Sequence, residues 1–276
     1  MDSTQPALQP SETPRGAATG ALLAAPARSA LFLDIDGTLL DVAPTPAEVH
    51  VPPGLGRTLE RLAWALDGAL VLSTGRRVSS ADQLFAPLRL VTAGVHGTEL
   101  RTTPHGKIVA LLPLLPAELI GAVKEAAAHL SPSIMVEQKG AGIAVHYRSA
   151  PEAGAALEQG LHDIVGRWHR YELRGGRRVL EILPRGYSKG TALDRLMRQP
   201  PFAGRLPVMI GDDRGDEPAL DEARRLGGVG LRVAGEHFAA ESADFAGPAD
   251  VRAWLGTLAA KLEIGRARPS DHWSGA

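Results

Sequence analysis

The chain has 276 residues, with 30 lysines and arginines against 31 aspartates and glutamates, a net charge of −1, and 44% hydrophobic and 22% charged content. That balance offers no bulk attraction to nucleic acid or to an anionic membrane, so neither is expected as a partner. There is no cysteine, which excludes disulfides, thiolate zinc sites, iron–sulfur ligation and a cysteine nucleophile, and suits a reducing compartment.

At about 150 residues per domain the length allows one or two domains. Residues 1–28, rich in Pro, Ser, Thr, Gly and Ala, are expected to form a disordered leader. The apolar patch ALLAA at 21–25 follows no basic segment at the chain start and is too short to span a bilayer, so a cytoplasmic location is expected. SALFLD (29–34) is a short apolar run ending at charge and glycine, the pattern of a buried central strand of a parallel sheet. ALVLST (69–74) repeats it, and Leu55, Leu59, Leu62 and Leu66 recur between them at helical spacing, a strand, helix, strand crossover unit. LVTA (90–93), LPVMI (206–210) and GGVGLRV (227–233) add three more strands. An open α/β sheet is implied, with polar residues gathered at the carboxyl ends of its strands.

The middle of the chain reads differently. Leu119, Val123, Ala127, Leu130 and then Leu157, Leu161, Ile164, Trp168 mark two helices, alternating with strand-like SIMVEQ, GIAVHYR and RRVLEIL. The expected organisation is a core of 29–106 and 186–264, an α+β domain inserted at 107–185, and a disordered tail at 265–276. Alternation puts Glu137 and Lys139 on one face of their strand, and His146 and Arg148 on one face of theirs. Helices would cover the apolar side and leave these charges exposed. No internal repeat, heptad or exposed apolar stripe is evident, and a monomer is expected.

Four short motifs carry chemistry. DIDGTL (34–39) follows the first strand: two carboxylates two residues apart, released by Gly37, can approach one cation or one electrophile. An Asx-type turn with a helix cap is the structural alternative. GDDRGDE (211–217) gathers four carboxylates in six residues, whose repulsion calls for a cation unless the loop is simply solvated. STGR (73–76) offers a hydroxyl and backbone N–H groups for phosphate oxygens, or an ordinary helix cap. In YSKGT (187–191) a lysine opens a helix, where the dipole disfavours it unless an anion is near; a surface lysine is the alternative.

In that order, with an insert before the lysine, these motifs resemble the haloacid dehalogenase superfamily of phosphohydrolases over most of residues 29–250. Within it, AGVHGTE (93–99), VEQKGAGIAVHYR (136–148) and VLEILPRGYSKG (179–190) are similar to the trehalose-6-phosphate phosphatases. Thr74 stands where that family more often has Ser, keeping the hydroxyl. Gly215 stands where it has Thr, removing a side-chain hydrogen bond.

The resemblance implies a Rossmann-like core with a parallel sheet and an inserted cap of the C2 type. It also implies a magnesium-dependent hydrolysis of trehalose 6-phosphate. Asp34 would be the nucleophile and Asp36 the acid and base, with Thr74 and Lys189 holding phosphate oxygens. Mg²⁺ would be held by Asp34, the backbone carbonyl of Asp36 and Asp212, with Asp213 or Asp216 in the outer sphere, and Asp216 is preferred for orienting Lys189. A disaccharide phosphate presents many hydroxyls and one dianion, to which Glu137, Lys139, His146, Arg148 and Glu181 of the insert, and His96, Glu99 and Arg76 of the core, are candidate partners. For Arg76 a local salt bridge is the favoured alternative, and for His96 a loop-ordering role. Other readings are a phosphatase for a sucrose, mannosylglycerate or glucosylglycerate phosphate, a mutase, and a non-catalytic sugar-phosphate sensor.

Overall fold

The structure is a computed structural model that describes residues 13–43, 48–176 and 178–266. In chain order the elements are α1 (Pro14–Ala24), β1 (Ser29–Leu33), α2 (Leu55–Ala65), β2 (Leu70–Ser73), α3 (Val78–Phe85), β3 (Val91–Gly94), β4 (Glu99–Arg101) and β5 (Val109–Ala110). Then come α4 (Ala117–Leu130), β6 (Met135–Lys139), β7 (Gly142–His146), α5 (Gly154–Val165), β8 (Tyr171–Gly176) and β9 (Val179–Pro184). The chain closes with α6 (Lys189–Met197), β10 (Leu206–Gly211), α7 (Glu217–Arg225), β11 (Val229–Arg232) and α8 (Pro248–Arg266).

Seven strands form one sheet in the order β11-β10-β1-β2-β3-β4-β5. The first five are parallel, and β4 and β5 extend the sheet antiparallel. Every residue of β1 is buried, as expected of a strand covered by helices on both faces. Leu33 lies beside Ile210 on one side and Leu72 on the other, so Asp34, Gly211 and Ser73 leave the sheet at one level. That register brings the motifs together.

The second sheet, β6-β7-β9-β8, is antiparallel throughout. One face packs through Ile143, Val145 and Ile182 onto Leu119 and Val123 of α4 and Leu157 and Leu161 of α5, a cluster separate from the core of the larger sheet. The other face carries Glu137, Ala144 and Glu181 as lateral neighbours. The small Ala144 between the two glutamates leaves a trough into which longer side chains converge.

Three expectations change. β5 still belongs to the larger sheet, so the chain leaves it after 110 instead of 106. Residues 13–28 are not a disordered leader: Thr13 caps α1, Pro14 opens it, and Ala18 and Leu22 are fully buried. Arg15 pairs with Asp250 and lies over the Phe245 ring, and the Trp254 indole donates to Thr19. The composition suggests disorder because the partners that stabilise this helix lie more than 200 residues away. Gly265 and Arg266 close α8, while the expectations for 1–12 and 267–276 lie outside the described residues. β8, whose YELRGG lacks clean apolar alternation, and β4 are further strands the sequence pattern does not disclose.

Candidate active site

The strand ends of the larger sheet face the charged side of the smaller one across a cleft of about 720 Å³. At its floor Lys189 is the hub. Its ammonium lies 2.5 Å from Asp34 Oδ1 and 2.6 Å from Asp216 Oδ1, and all three side chains are buried. Ser188 caps α6 through a capping box with Thr191, so Lys189 is the first helical residue, and the two carboxylates supply the negative charge its position requires. Asp216 Oδ2 accepts from the backbone N–H groups of Asp212 and Asp213, so both of its oxygens are engaged by donors. Asp212 Oδ1 accepts from the Thr38 hydroxyl. Gly37 has φ +93°, and a Cβ there would fall 2.0 Å from Asp212 Oδ2, so the close approach of the two acidic loops depends on glycine.

Asp34, Asp212 and Asp216 each offer a carboxylate oxygen within 4.8 Å of the others. Burial and the nearby Asp216 push the Asp34 carboxyl well above the usual carboxylate range, although Lys189 opposes them. Burial disfavours the Lys189 ammonium, yet Asp216 and Asp34 outweigh it and hold its pKa well above that of an ordinary lysine. Three buried carboxylates against one ammonium leave an excess of negative charge on hard oxygen donors, a donor set that fits a divalent cation.

Asp36 is about a third exposed and grips Arg76 through two bonds of 2.6 Å, Nε to Oδ2 and Nη2 to Oδ1. The Thr74 hydroxyl accepts from the Arg76 N–H, and Thr74 is not among the residues lining the cleft. Asp213 lines it and caps the turn that follows through Arg214 N–H.

The roof is a chain of alternating charges. Glu181 lies 2.8 Å from His96 Nε2 and 3.4 Å from Lys139, which is 3.7 Å from Glu137, which in turn lies 3.0 Å from His146 Nε2. Burial disfavours the Glu181 and Glu137 carboxylates, but His96 and Lys139 hold Glu181, and His146 and Lys139 hold Glu137, below the usual range. The face expected to be exposed is instead turned onto the core, with the Lys139 and Glu181 side chains mostly buried. Arg148 lies beyond the end of β7 and donates to the backbone carbonyl of Ala43, joining the insert to the segment after β1.

Glu99 does not line the cleft. One carboxylate oxygen accepts from Arg77 and the other from Val78 N–H at the start of α3, which makes it a helix-terminus partner. The glutamate comes three residues after His96, whose turn does face the cleft, a distinction spacing alone cannot make. Met135 is a lining residue that sequence reasoning omitted. It shares the face of Glu137 and Lys139 by strict alternation, which was the available signal.

Solved structures with this fold include the C-terminal domain of trehalose-6-phosphate phosphatase from C. albicans, with a TM-score of 0.75 at 20% identity, covering 88% of this chain and 96% of that one. A haloacid dehalogenase-like hydrolase from Bacteroides thetaiotaomicron aligns with a TM-score of 0.59 at 17% identity, over 86% and 99% of the two chains. The fold is therefore that of the haloacid dehalogenase-like hydrolases. The trehalose-phosphatase family model matches residues 32–246. A probable trehalose-phosphate phosphatase of Sinorhizobium fredii is 43% identical over 215 residues, 74% of this chain and 77% of that one. The trehalose-6-phosphate phosphatase of Escherichia coli is 38% identical over 237 residues, 86% and 89% of the two. The chain belongs to the trehalose-phosphatase family.

Proposed function

We propose that the protein is a phosphoric monoester hydrolase that releases phosphate from trehalose 6-phosphate by way of an aspartyl phosphate, with the larger sheet as the reacting core and the insert as its cap. The observation that carries the reading is the Asp34–Lys189–Asp216 cluster at the carboxyl end of β1. It is a buried carboxylate fixed at a strand end, facing a cleft whose opposite wall is charged and able to bind hydroxyls.

Asp34 attacks phosphorus, and the bond from phosphorus to the sugar oxygen breaks as the bond to the carboxylate forms, dividing one hard displacement into two. Asp36 gives its proton to the departing oxygen and later accepts one from the water that cleaves the acyl phosphate. Arg76 occupies both Asp36 oxygens in the resting arrangement, so the proton-donating step needs Arg76 to release it and Asp36 to take up a proton from solvent first. An arriving phosphate dianion offers Arg76 that competing partner. Lys189 and Thr74 hold equatorial phosphate oxygens, Thr74 with the hydroxyl proton that its bond from Arg76 N–H leaves available. Mg²⁺ would be held by Asp34, Asp212 and the carbonyl of Asp36, supplying positive charge between nucleophile and phosphate. Asp216, with both oxygens engaged, orients Lys189, and Asp213 stands in the outer sphere. On the roof, Glu137, Lys139, His146 and Glu181 take the sugar hydroxyls, with Arg148 at the margin of the cleft.

Among the described residues no helix is long and apolar enough to cross a membrane, and we place the enzyme in the cytoplasm. The test is phosphate release from trehalose 6-phosphate, glucose 6-phosphate and sucrose 6-phosphate side by side, with and without Mg²⁺, using Asp34→Asn as blank. Preference for the trehalose ester is expected. Equal slow release from all three would leave the hydrolase and remove the substrate, and no release would favour a sensor.

A further inference from the structure

His96 stands in an unusual setting. It and Val95 both have left-handed backbones, φ 51° and 47°, a conformation costly for a β-branched valine and uncommon for histidine. Two backbone bonds hang this turn on the phosphate-facing loop of the core, from His96 N–H to Thr74 O and from Val95 N–H to Arg76 O. The ring is nine-tenths buried and lies against Gly75, where a Cβ would stand 2.8 Å from Nε2. Glycine at 75 is what admits it. Although Nε2 is 2.8 Å from Glu181 Oε2, the contact lacks the alignment of a hydrogen bond, and Nδ1 has no partner among the described residues. Nδ1 faces Gly215, whose Cβ position lies 3.7 Å away. A strained turn thus presents to one carboxylate of the cap an imidazole that no polar group among the described residues holds from behind.

We propose that His96 is a positioning residue for Glu181. The core imidazole docks the cap carboxylate and, through it, sets Lys139 over the cleft, so that seating the cap and assembling the sugar-hydroxyl contacts are one event. This rests on the reading of Glu181 as a substrate contact. Glu181 is wedged between His96 of the core and Lys139 of its own sheet. Among the described residues, removing the imidazole leaves the carboxylate only Lys139 of its own sheet. Gly215 leaves the His96 ring without a second anchor, and a serine there would carry a hydroxyl within reach of Nδ1, fixing the tautomer that donates from Nε2 toward Glu181.

The experiment is a double-mutant cycle of His96→Asn and Glu181→Gln, read both as steady-state kinetics on trehalose 6-phosphate and as Tm of the substrate-free protein. Asparagine tolerates the left-handed backbone but is too short to reproduce the contact, so loss of the ring is separated from loss of the turn. Each single variant should raise KM on the order of tenfold with kcat largely retained, and the double should be no worse than the worse single. Gly215→Ser should raise Tm when His96 is present and not in the His96→Asn background. Multiplying effects in the double, or a His96→Asn defect confined to kcat, would overturn the proposal. If Glu181→Gln leaves KM unchanged, the recognition reading fails instead, and the substrate-free cycle still decides the pair: non-additive Tm losses support it and additive ones refute it.

Discussion

Floor and roof of the cleft are both lined with charge, but they are held by different means. On the floor, Lys189, Asp34 and Asp216 are buried at 5% exposure or less, and their contacts are 2.5 and 2.6 Å. Backbone N–H groups fix Asp216, and parallel strand register fixes the level of Asp34. On the roof, the histidine contacts to Glu181 and Glu137 are 2.8 and 3.0 Å, but the lysine links from Glu181 to Lys139 and from Lys139 to Glu137 are 3.4 and 3.7 Å, and the Glu137 side chain is 36% exposed. These charges stand on one face of an antiparallel sheet and pair with one another and, through Glu181, with His96 of the core. Groups that must meet a reacting phosphorus need immobility, which burial and neutralisation supply. Groups that meet sugar hydroxyls must exchange partners when a ligand arrives, and loose pairs at a partly wetted surface exchange at lower cost.

The sharpest way to break this contrast is at the nucleophile. Asp34→Asn keeps the shape and leaves Lys189 its bond to Asp216, so the protein should fold while phosphate release falls on the order of 10⁴-fold for any substrate. Retained turnover would remove the floor from the chemistry. Lys189→Met asks whether the floor is held by neutralised charge. With the ammonium gone, Asp34 and Asp216 remain buried without a cation, and a stability loss of about 3–5 kcal/mol is expected. Added Mg²⁺ should raise the Tm of this variant more than that of the wild type, because a dication replaces the missing charge. A variant as stable as the wild type in chelator would show that the cluster is not electrostatically coupled.

Such a floor is legible in a sequence because its causes are local. An apolar run that stops at carboxylates announces a buried strand end, and DIDGT after SALFL or GDDRGD after LPVMI marks where acids must gather. What is not legible depends on approach through space. Arg76 is two residues from Thr74 in sequence and could reach substrate or carboxylate; only the fold shows its paired bonds to Asp36. Glu99 follows the His96 turn closely yet points to the start of α3. The roof charges follow from alternation on β6 and β7, but their burial against the core does not, because the placement of the two sheets is not written in either one's periodicity. Helix α1 escaped for the same reason, although Thr13 and Pro14 form a recognisable start signal.

The roof should respond more mildly, and through binding. Glu137→Gln removes the anion between Lys139 and His146 and should raise KM for trehalose 6-phosphate on the order of tenfold, with kcat changed less. A fall confined to kcat would move Glu137 into the reacting set and erase the division between floor and roof.

The smallest effect is on acid stability, and it separates the two surfaces by sign. Glu181 is held below its ordinary 4.5 by His96 and Lys139 despite its burial. Its contribution to folding is fully present above about pH 4.5 and is lost as the pH falls through the lower folded value. Asp34 is shifted the other way, chiefly by burial, so without a cation its ionisation opposes folding as the pH rises through the raised folded value. In chelator, Glu181→Gln should therefore flatten the fall of Tm below about pH 4.5, while Asp34→Asn should raise Tm toward neutral pH relative to wild type. Calorimetry on the three proteins across that range checks both slopes. Equal slopes would mean that roof and floor carry the same kind of charge, and the division drawn from their geometry would not hold.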